Sequence, residues 1–429
     1  MKNNKLVKQL ESFDPDLFNL LNEALNRQIS SLSLIPTDSA ASPFSAYLKG
    51  SVLGNDFIGY HSLEHVGRIE TLATQRACKL FNAEHAIVRT GNLIAASRVV
   101  LQALLKTGDT VLSFNLSKQE HCTGAQMQYN FIKFALEPDT LKINFDKLKY
   151  LTMRHRPKLI IYSPVNYPHN IDYSQLRKIA DSVGALLWID LGQNCGLVAT
   201  GKIKSPVPYA DVATFAASDA LHGPQTGVIL CKQNLAELLD RTVIDTGHAS
   251  MKKNVLAALA IAFHEAACPE YNDYSDQVLQ NARALENGLK NSNAELICSP
   301  TENHLVLVRL REGQSAKQIE NKLAEAGLLV KAETLLTSND NVSYSVLRLS
   351  SLDPTTRALN EDDMFTVGLT LGEFINSSMD SKAINSVSDV IKELVEALPL
   401  FSEDWLPAAE ITQNYDPDLI MKAMIYGSV

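Results

Sequence analysis

The chain has 429 residues, of which 45% are hydrophobic and 20% charged, with 39 basic against 48 acidic side chains. This length suggests two or three domains at roughly 150 residues per domain, and the composition is that of a globular protein, which argues against disordered and fibrous classes. The formal net charge of −9 is opposite in sign to a surface that tracks phosphates, so we expect no nucleic-acid partner.

The six cysteines are scattered without a CxxC pair, and most stand within apolar runs, as reduced and buried thiols do. The N-terminus is polar, and no apolar stretch reaches the roughly 18 residues that a membrane span requires. We therefore expect a cytoplasmic protein without a membrane partner.

The first strong helical pattern is HSLEHVGRIETLATQRACKLF, residues 61–81, in which apolar side chains recur at three- and four-residue steps. Seven short apolar runs then alternate with helical stretches between residues 85 and 231: HAIVRT, TVLSF, FIKFAL, KLIIYS, ALLWID, DVATFA and GVILC. This alternation predicts an α/β class with a mostly parallel, seven-stranded sheet that helices cover on both faces.

A long helical region over about residues 254–291, broken near Pro269, follows the seven runs. Beyond it, HLVLVRL, a helix ending near AEAGLLVKAE, YSVLRLSS and helices through Leu398 predict a smaller α/β domain. We place the domains as an N-terminal helical arm at 1–35, a large α/β domain at 36–290, a small C-terminal α/β domain at 291–406 and a tail at 407–429.

Polar residues follow several predicted strands, at the positions where ligands of open α/β sheets bind. Each one alone has a plain structural interpretation as a helix cap, a turn or a solvated loop residue. Their convergence on one rim of the sheet indicates a site, because a site needs several polar groups within mutual reach. They are Thr90, Gly91 and Asn92 after the first run, His121 after the second, Asp190 at the end of ALLWID, and Ser218, Asp219 and His222 after DVATFA.

The order and the amino-acid sequences of these segments resemble those of serine hydroxymethyltransferase, a fold-type I pyridoxal-phosphate (PLP) enzyme. The resemblance runs through FDPDLFNLLNEALNRQISSLSLI, ETLATQRACKLFNAEHAIVRTGN, IADSVGALLWIDLGQNCGLVATG and PVPYADVATFAASDALHGPQTGVIL, and it covers about residues 12–400. It implies the aspartate-aminotransferase-like fold and a homodimer with sites built across the interface. The chemistry has to be read from the site residues, because a fold does not fix a function.

The resemblance assigns several of the rim residues to a PLP site. Thr90-Gly91-Asn92 match the family's phosphate cradle, where backbone N–H groups at a helix start meet the phosphate. His121 matches the histidine that stacks over the pyridine ring. Asp190 matches the aspartate that pairs with the protonated ring nitrogen and makes the ring an electron sink.

The resemblance also assigns substrate and acid/base groups. Arg348, in VLRLSS, matches the arginine that holds the substrate carboxylate by a two-pronged ion pair. Tyr60 matches one tyrosine of the family's Tyr-Tyr-Gly-Gly run, and Asp38 stands where the family has its general acid/base glutamate. These matches imply a small amino-acid-like substrate.

One departure from the family's pattern changes the chemistry. Asp219 stands where the family has its Schiff-base lysine, and no lysine lies between Lys204 and Lys232. A carboxylate cannot form an imine, so ordinary hydroxymethyl transfer between serine and glycine is not expected. Three further contacts of the family change as well: Gln193 replaces a histidine, Val165 replaces the serine that faces the ring hydroxyl, and Ala249-Ser250 replace a Gly-Gly pair that meets the phosphate.

Two functions from different classes remain. In the first, the protein is an altered enzyme that holds PLP, or its pyridoxamine form (PMP), without a covalent link; His121 or His222 then shuttles protons, or Asp219 acts as the base. In the second, the cofactor is absent altogether and the chain is a pseudoenzyme, a dimeric scaffold or binding protein. Retention of Asp190, His121 and Arg348 favours the altered enzyme.

A third alternative is a metal-dependent enzyme. His61, Glu64 and His65 have the HxxEH spacing of inverted zinc metallopeptidases, which places two imidazoles one helical turn apart. The plain interpretation is a helix start with two surface histidines, because no clear pattern downstream supplies a further ligand. Cys122 and Cys195 are interpreted as packing residues and His304 as a structural one.

Overall fold

The structure, a computed structural model, describes residues 5–55, 60–114, 128–247, 251–338 and 342–407, without the side chains of residues 5–8 and 60–66. Its strands are β1 (Leu32–Ser33), β2 (His85–Thr90), β3 (Thr110–Phe114), β4 (Asn130–Phe134), β5 (Leu159–Tyr162), β6 (Leu186–Asp190), β7 (Val212–Ala216), β8 (Gly227–Cys231), β9 (Leu296–Ile297), β10 (Leu305–Arg309), β11 (Leu328–Leu329), β12 (Lys331–Leu336) and β13 (Ser343–Ser350).

Helices alternate with these strands along the chain. They are α1 (Lys5–Phe13), α2 (Pro15–Ser30), α3 (Pro43–Lys49), α4 (Tyr60–Phe81), α5 (Leu93–Leu104), α6 (Phe145–His155), α7 (Tyr173–Asp181), α8 (Cys195–Ala199), α9 (Ala217–Ala220), α10 (Gln233–Asp245), α11 (Lys253–Glu265), α12 (Pro269–Asn291), α13 (Ala316–Glu325), α14 (Leu352–Thr356), α15 (Glu361–Asn376) and α16 (Ser381–Val395).

The central sheet has seven strands in the order β2-β8-β7-β6-β5-β3-β4. Strand β8 runs antiparallel to both of its neighbours, and the other neighbouring pairs are parallel. All seven apolar runs between residues 85 and 231 form strands of this sheet, so the predicted fold class is confirmed. The prediction succeeds because the central strands are buried on both faces and therefore read as continuous apolar segments.

Helices cover both faces of the central sheet. On one face, Phe215 of β7 packs against Phe263 of α11, with ring centroids 6.5 Å apart. On the other face, Val212 of β7 belongs to a second apolar core that includes Val99 of α5. Successive strand residues point to opposite faces, so one strand contributes to both cores.

A second, antiparallel sheet follows in the chain, with the order β12-β13-β10-β9. Strands β10 and β13 correspond to the predicted HLVLVRL and YSVLRLSS runs, whereas β9 and β12 did not stand out as strands. The reason is physical: β9 has two residues, and most of β12 is only half-buried and carries polar side chains. The domain boundaries proposed from the sequence stay a prediction.

The long helical region divides where the sequence indicates. Helix α11 ends at Glu265 and α12 begins at Pro269, which occupies the first helical position, where its missing N–H costs nothing. The helix predicted over residues 61–81 begins one residue earlier, at Tyr60. Across the described part of the chain, no helix combines the length and apolar character that crossing a bilayer demands.

Candidate active site at the edge of the parallel sheet

Strand direction brings three of the candidate segments to one edge of the central sheet. Strands β2, β6 and β7 all run the same way, because β2 and β7 flank the antiparallel β8. Thr90 and Asp190 are the last residues of β2 and β6, and Asp219 lies in α9, directly after β7. The carboxyl ends of these strands therefore form the rim on which a site was expected.

Asp190 is buried at this rim, with 3% of its surface exposed. Its Oδ2 accepts a hydrogen bond from Ser163 Oγ at 3.0 Å, and its Oδ1 accepts from the Gly192 N–H at 3.2 Å and from Thr214 Oγ1 at 3.4 Å. Gly192 has a φ of +50°, which suits the tight turn that aims its N–H back at the carboxylate. Donors from three segments thus fix the orientation of this carboxylate.

Asp219 is held by two donors on its two oxygens. Ser218 Oγ donates to Oδ1 at 3.0 Å, and Gln193 Nε2 donates to Oδ2 at 3.2 Å. Burial raises the pKa of Asp219, the two hydrogen bonds oppose this, and the nearby Asp190 charge adds to the rise. The Arg348 charge lowers the pKa in turn, so Asp219 lies within electrostatic reach of both Asp190 and Arg348.

Arg348 reaches this rim from the second sheet. It lies on β13, opposite Leu307 of β10, and it is 8% exposed. Its Nη1 donates to Asn166 Oδ1, in the segment that follows β5, whereas its buried Nε has no hydrogen-bond partner. Burial lowers the pKa of Arg348, while the charges of Glu333 and Asp219 raise it. An arginine keeps its charge in such a setting, so the site contains a fixed cation.

The start of α5 forms the third part of the rim. Thr90 Oγ1 donates to the Gly227 carbonyl oxygen at 2.7 Å, and Asn92 Oδ1 accepts from the Ala95 N–H at 2.8 Å, as an N-cap residue does. At Gly91, a Cβ atom would meet nothing within 4 Å. This is a twelve-residue helix whose N-terminus opens beside Gly91, which suits an anionic group.

Asp38 lies in a different environment. Its Oδ2 accepts from Ser33 Oγ at 2.7 Å, and it lines a cavity of about 610 Å³ together with Asp353 and Arg357. Burial raises the pKa of Asp353 to about 7, with Asp38 adding to the rise and Arg357 opposing it. Asp38 thus shares its surroundings with a carboxyl and a guanidinium that the sequence analysis did not single out.

His222 lies in an aromatic cage. Its ring faces Tyr274 and Phe401 with centroids 4.9 and 5.1 Å away, and its Nδ1 donates to the Ala40 carbonyl oxygen at 3.1 Å. Burial lowers the pKa of His222 to about 4, so its ring is neutral at pH 7. The contacts tie His222 to the segment that precedes α3, and a role as proton shuttle stays a prediction.

Several candidates fall outside the described part of the chain. His121, Cys122 and Ala249-Ser250 lie in segments that are not described, and of Tyr60, His61, Glu64 and His65 only the helical backbone is described. Among the described side chains there is no group of three or more His, Cys, Asp or Glu residues that could hold a metal. Cys195 is fully buried, and burial raises the pKa of its thiol well above the usual range, which fits a packing role.

Residues that the sequence analysis did not assign to the site complete its shell. Ser163 and Asn166 follow β5 and contact Asp190 and Arg348, respectively. Both stand at the carboxyl end of a parallel strand, so the rule that located Asp190 also applies to them. His304, interpreted as structural, is 1% exposed, and neither ring nitrogen has a hydrogen-bond partner.

The described residues fit PLP or PMP held without a covalent bond. Asp190 lies buried at the rim with a fixed orientation, and the start of α5 offers a place for a phosphate. Buried atoms without partners, Arg348 Nε and Gln193 Oε1 among them, leave hydrogen-bonding capacity for a bound molecule. Asp219 does not fit covalent attachment, because a carboxyl group forms no imine.

A comparison with known protein families matches most of this chain. The model of the family described as serine hydroxymethyltransferase matches residues 10–371. This range includes the whole central sheet and Asp190, Asp219 and Arg348.

Proposed function

Because this chain belongs to the serine hydroxymethyltransferase family, we propose that it is an altered enzyme that acts on a small amino-acid-like substrate with PLP or PMP held non-covalently. The observation that carries the proposal is the set of contacts around Asp219. This carboxyl replaces the lysine of the resemblance, and it is buried, bonded to Ser218 and Gln193, and within electrostatic reach of Asp190 and Arg348. A pocket with no remaining role would not need so many unlike polar groups together.

Each part of the rim has a task in this proposal. Bound PLP or PMP supplies an electron sink. Asp190 accepts the hydrogen bond of the protonated ring nitrogen, and the backbone N–H groups from Thr90 to Asn92 hold the phosphate. Arg348 binds the substrate carboxylate.

Asp219 holds or moves a proton at its carboxyl oxygens. Burial and the like charge of Asp190 raise its pKa, which favours a carboxyl group that can take up as well as release a proton. Its ionised form attracts an ammonium group, which favours the amine form of the cofactor over the aldehyde. His121 remains the proposed ring-stacking group and second proton carrier.

The pseudoenzyme is the second candidate, and one observation favours it. The side chains of Thr90 and Asn92 are hydrogen-bonded to the backbone of Gly227 and Ala95. The polar groups at the start of α5 therefore already have some of their partners within the protein. A scaffold that binds no cofactor needs no further polar partner there. We propose in either case a cytoplasmic homodimer; the five described cysteines, which form no disulfide, fit a reducing compartment.

The first experiment measures cofactor retention. We expect purified protein mixed with PLP or PMP to keep an absorption band through gel filtration, and Asp190→Ala to lose it, because the ring nitrogen loses its partner. Asp245→Ala, on the exposed end of α10, is the control and should keep the band. If no band is retained by the wild-type protein, the altered-enzyme proposal falls, and metal analysis of the same sample separates the scaffold from a site at His61, Glu64 and His65.

A second variant tests the position of Asp219. Asp219→Lys should allow PLP to attach covalently, which borohydride reduction and mass spectrometry of the peptide detect. Asp219→Asn should give no attachment. A wild-type protein that retains PLP, with no covalent adduct in Asp219→Lys, would contradict the placement of residue 219 beside the cofactor.

A further inference from the structure

Arg348 is a buried cation whose charge no neighbouring carboxylate neutralises. The residue is 8% exposed, and none of the ion pairs in the described part of the chain involves it. The charges of Glu333 and Asp219 act on it without forming such a pair. Buried charges in proteins are usually paired, because leaving water costs free energy. The guanidinium therefore has capacity for an anion.

One neutral side chain holds this guanidinium in place. Arg348 Nη1 donates to Asn166 Oδ1, and Asn166 is 4% exposed. A guanidinium has donors only, so the amide has to present its oxygen to it. Because an amide carries no charge, the contact orients Arg348 and leaves the positive charge uncompensated. An aspartate at position 166 would also orient the guanidinium, but it would neutralise it.

The same contact determines which edge of the guanidinium stays open. Nη1 of Arg348 is engaged by Asn166, whereas Nε is buried and finds no hydrogen-bond partner among the described residues. A carboxylate binds arginine most strongly through two parallel N–H groups. The edge that carries Nε is thus the one left for a carboxylate, and binding there would remove the cost of an unpaired buried donor.

Asn166 belongs to a short segment that also holds Asp190. Ser163, three residues earlier, donates from Oγ to Asp190 Oδ2 at 3.0 Å. Between the two, Val165 Cγ1 lies where a Cβ atom on Gly192 would meet it at 3.0 Å, so the segment packs against the turn whose N–H binds Asp190. This one segment therefore contacts both the group proposed for the ring nitrogen and the group proposed for the carboxylate.

We propose that Asn166 is a positioning residue for carboxylate binding. It holds Arg348 from the segment that also holds Asp190, turns the Nε edge toward the bound carboxylate and leaves the guanidinium charge for that ligand. This inference rests on the assignment of Arg348 to the substrate carboxylate in the proposed function. The role requires a neutral amide at position 166, since a charged partner would take the place of the ligand.

The test compares two probes on the full chain by ligand-observed NMR, PMP for the Asp190 side and glycine for the Arg348 side. Asn166→Asp keeps the shape and adds a negative charge, so it should weaken glycine binding about tenfold or more, and far more than PMP binding. Ser163→Ala should weaken mainly PMP binding, because Asp190 loses a donor that fixes its orientation. Asn170→Asp, the same change at an exposed residue of the same loop, is the matched control and should bind both probes as the wild type does.

Asn166→Ala separates positioning from a merely structural contact. This variant loses the acceptor but leaves the guanidinium charge free, so its affinity for glycine should lie between those of the wild type and Asn166→Asp. Melting temperature should rank the variants differently, with Asn166→Ala lowest, because aspartate still accepts from Arg348. A structural contact alone would give the same ranking in both measurements.

Three results would overturn the inference: equal affinity of the wild type and Asn166→Asp for glycine, glycine affinities that follow the melting temperatures, or a wild-type protein that does not bind glycine. Retention of PMP on the same samples keeps the two proposals apart. Selective loss of glycine binding in Asn166→Asp without retained PMP supports this inference and contradicts the proposed function. Retained PMP with unchanged glycine binding does the reverse.

Discussion

Glu265 is a buried carboxyl at the end of α11, and it accepts a hydrogen bond from Ser42 Oγ at 2.8 Å. Burial raises its pKa to about 7. Between the unfolded value near 4.5 and this folded value, the folded protein keeps a proton that the unfolded chain releases. The contribution of Glu265 to stability is therefore present below about pH 4.5 and is lost as the pH rises through 7.

Glu265→Gln removes this titration and keeps an acceptor for Ser42. We expect a flatter pH dependence of the unfolding free energy between pH 5 and 8, and at pH 8 a stability higher than that of the wild type by up to about 3 kcal/mol. Chemical denaturation across this range measures it, with Glu393→Gln, an exposed residue of α16, as the control. If the unfolding free energy of Glu265→Gln changes with pH in parallel with that of the wild type, Glu265 does not have this role.

At the scale of single residues, the sequence predicts where a side chain lies in the fold better than it predicts which residue that side chain contacts. Asp190 could be located because it ends a buried strand, and Asp219 because it follows one. That Asn92 caps its own helix is a local contact that the sequence also indicates, whereas the bond between Arg348 and Asn166 depends on how two sheets meet. No local pattern encodes a contact between residues 182 positions apart.

Helices α12 and α15 cross with their backbones in contact. A Cβ atom on Gly288 would collide with the Phe365 carbonyl oxygen, and one on Gly368 would collide with the Leu285 carbonyl oxygen. Both glycines lie inside helices, where each lowers helix stability by roughly 1 kcal/mol relative to alanine. The close packing of the two helices explains why glycine occupies these positions. Leu285 also belongs to the apolar core that lies against the second sheet, so the close approach of the two helices borders that core.

Gly288→Ala should destabilise the protein by about 1 to 3 kcal/mol, because the helices have to separate. The matched control is Gly67→Ala in the exposed part of α4, where a Cβ would meet nothing within 4 Å and should stabilise by about 0.5 to 1 kcal/mol. Thermal denaturation of the two variants gives opposite signs if the packing is as described. Two shifts of the same sign would refute it.

At the scale of elements, strong apolar runs sufficed for the central sheet. Strands β1 and β11 were not predicted, since each has two residues and is a strand only because it pairs with the other. The N-terminal arm was expected as a separate segment, and the pairing of Leu32 with Leu328 attaches its end to a distant part of the chain. Pairings between such short strands leave no periodic pattern of apolar residues that sequence analysis could detect.

For the molecule as a whole, α2 carries an apolar face that the rest of the described chain leaves open. None of its residues is buried, and Leu17, Leu20, Leu21, Leu25 and Ile29 are all exposed at helical spacing. A second copy of this chain is the occupant we expect, because the resemblance implies a homodimer.

Leu21→Glu combined with Leu25→Glu should therefore halve the mass measured by light scattering, since two charges cannot be buried in an apolar contact without a large cost. Glu23→Gln on the opposite side of the helix should leave the mass unchanged. If the double variant keeps the wild-type mass, another surface joins the subunits.

Arg357 binds the carbonyl oxygens of Ile29, Ser31 and Pro399 with its guanidinium, and beside it β1 pairs with β11. The first strand thus waits for a partner made about three hundred residues later. At ribosomal rates of roughly 5 to 20 residues per second, this delay is on the order of 15 to 60 s. During that time Leu32 and Leu34, which are fully buried in the folded protein, have no core of their own chain to enter, so the leading end of the growing polypeptide is vulnerable to aggregation.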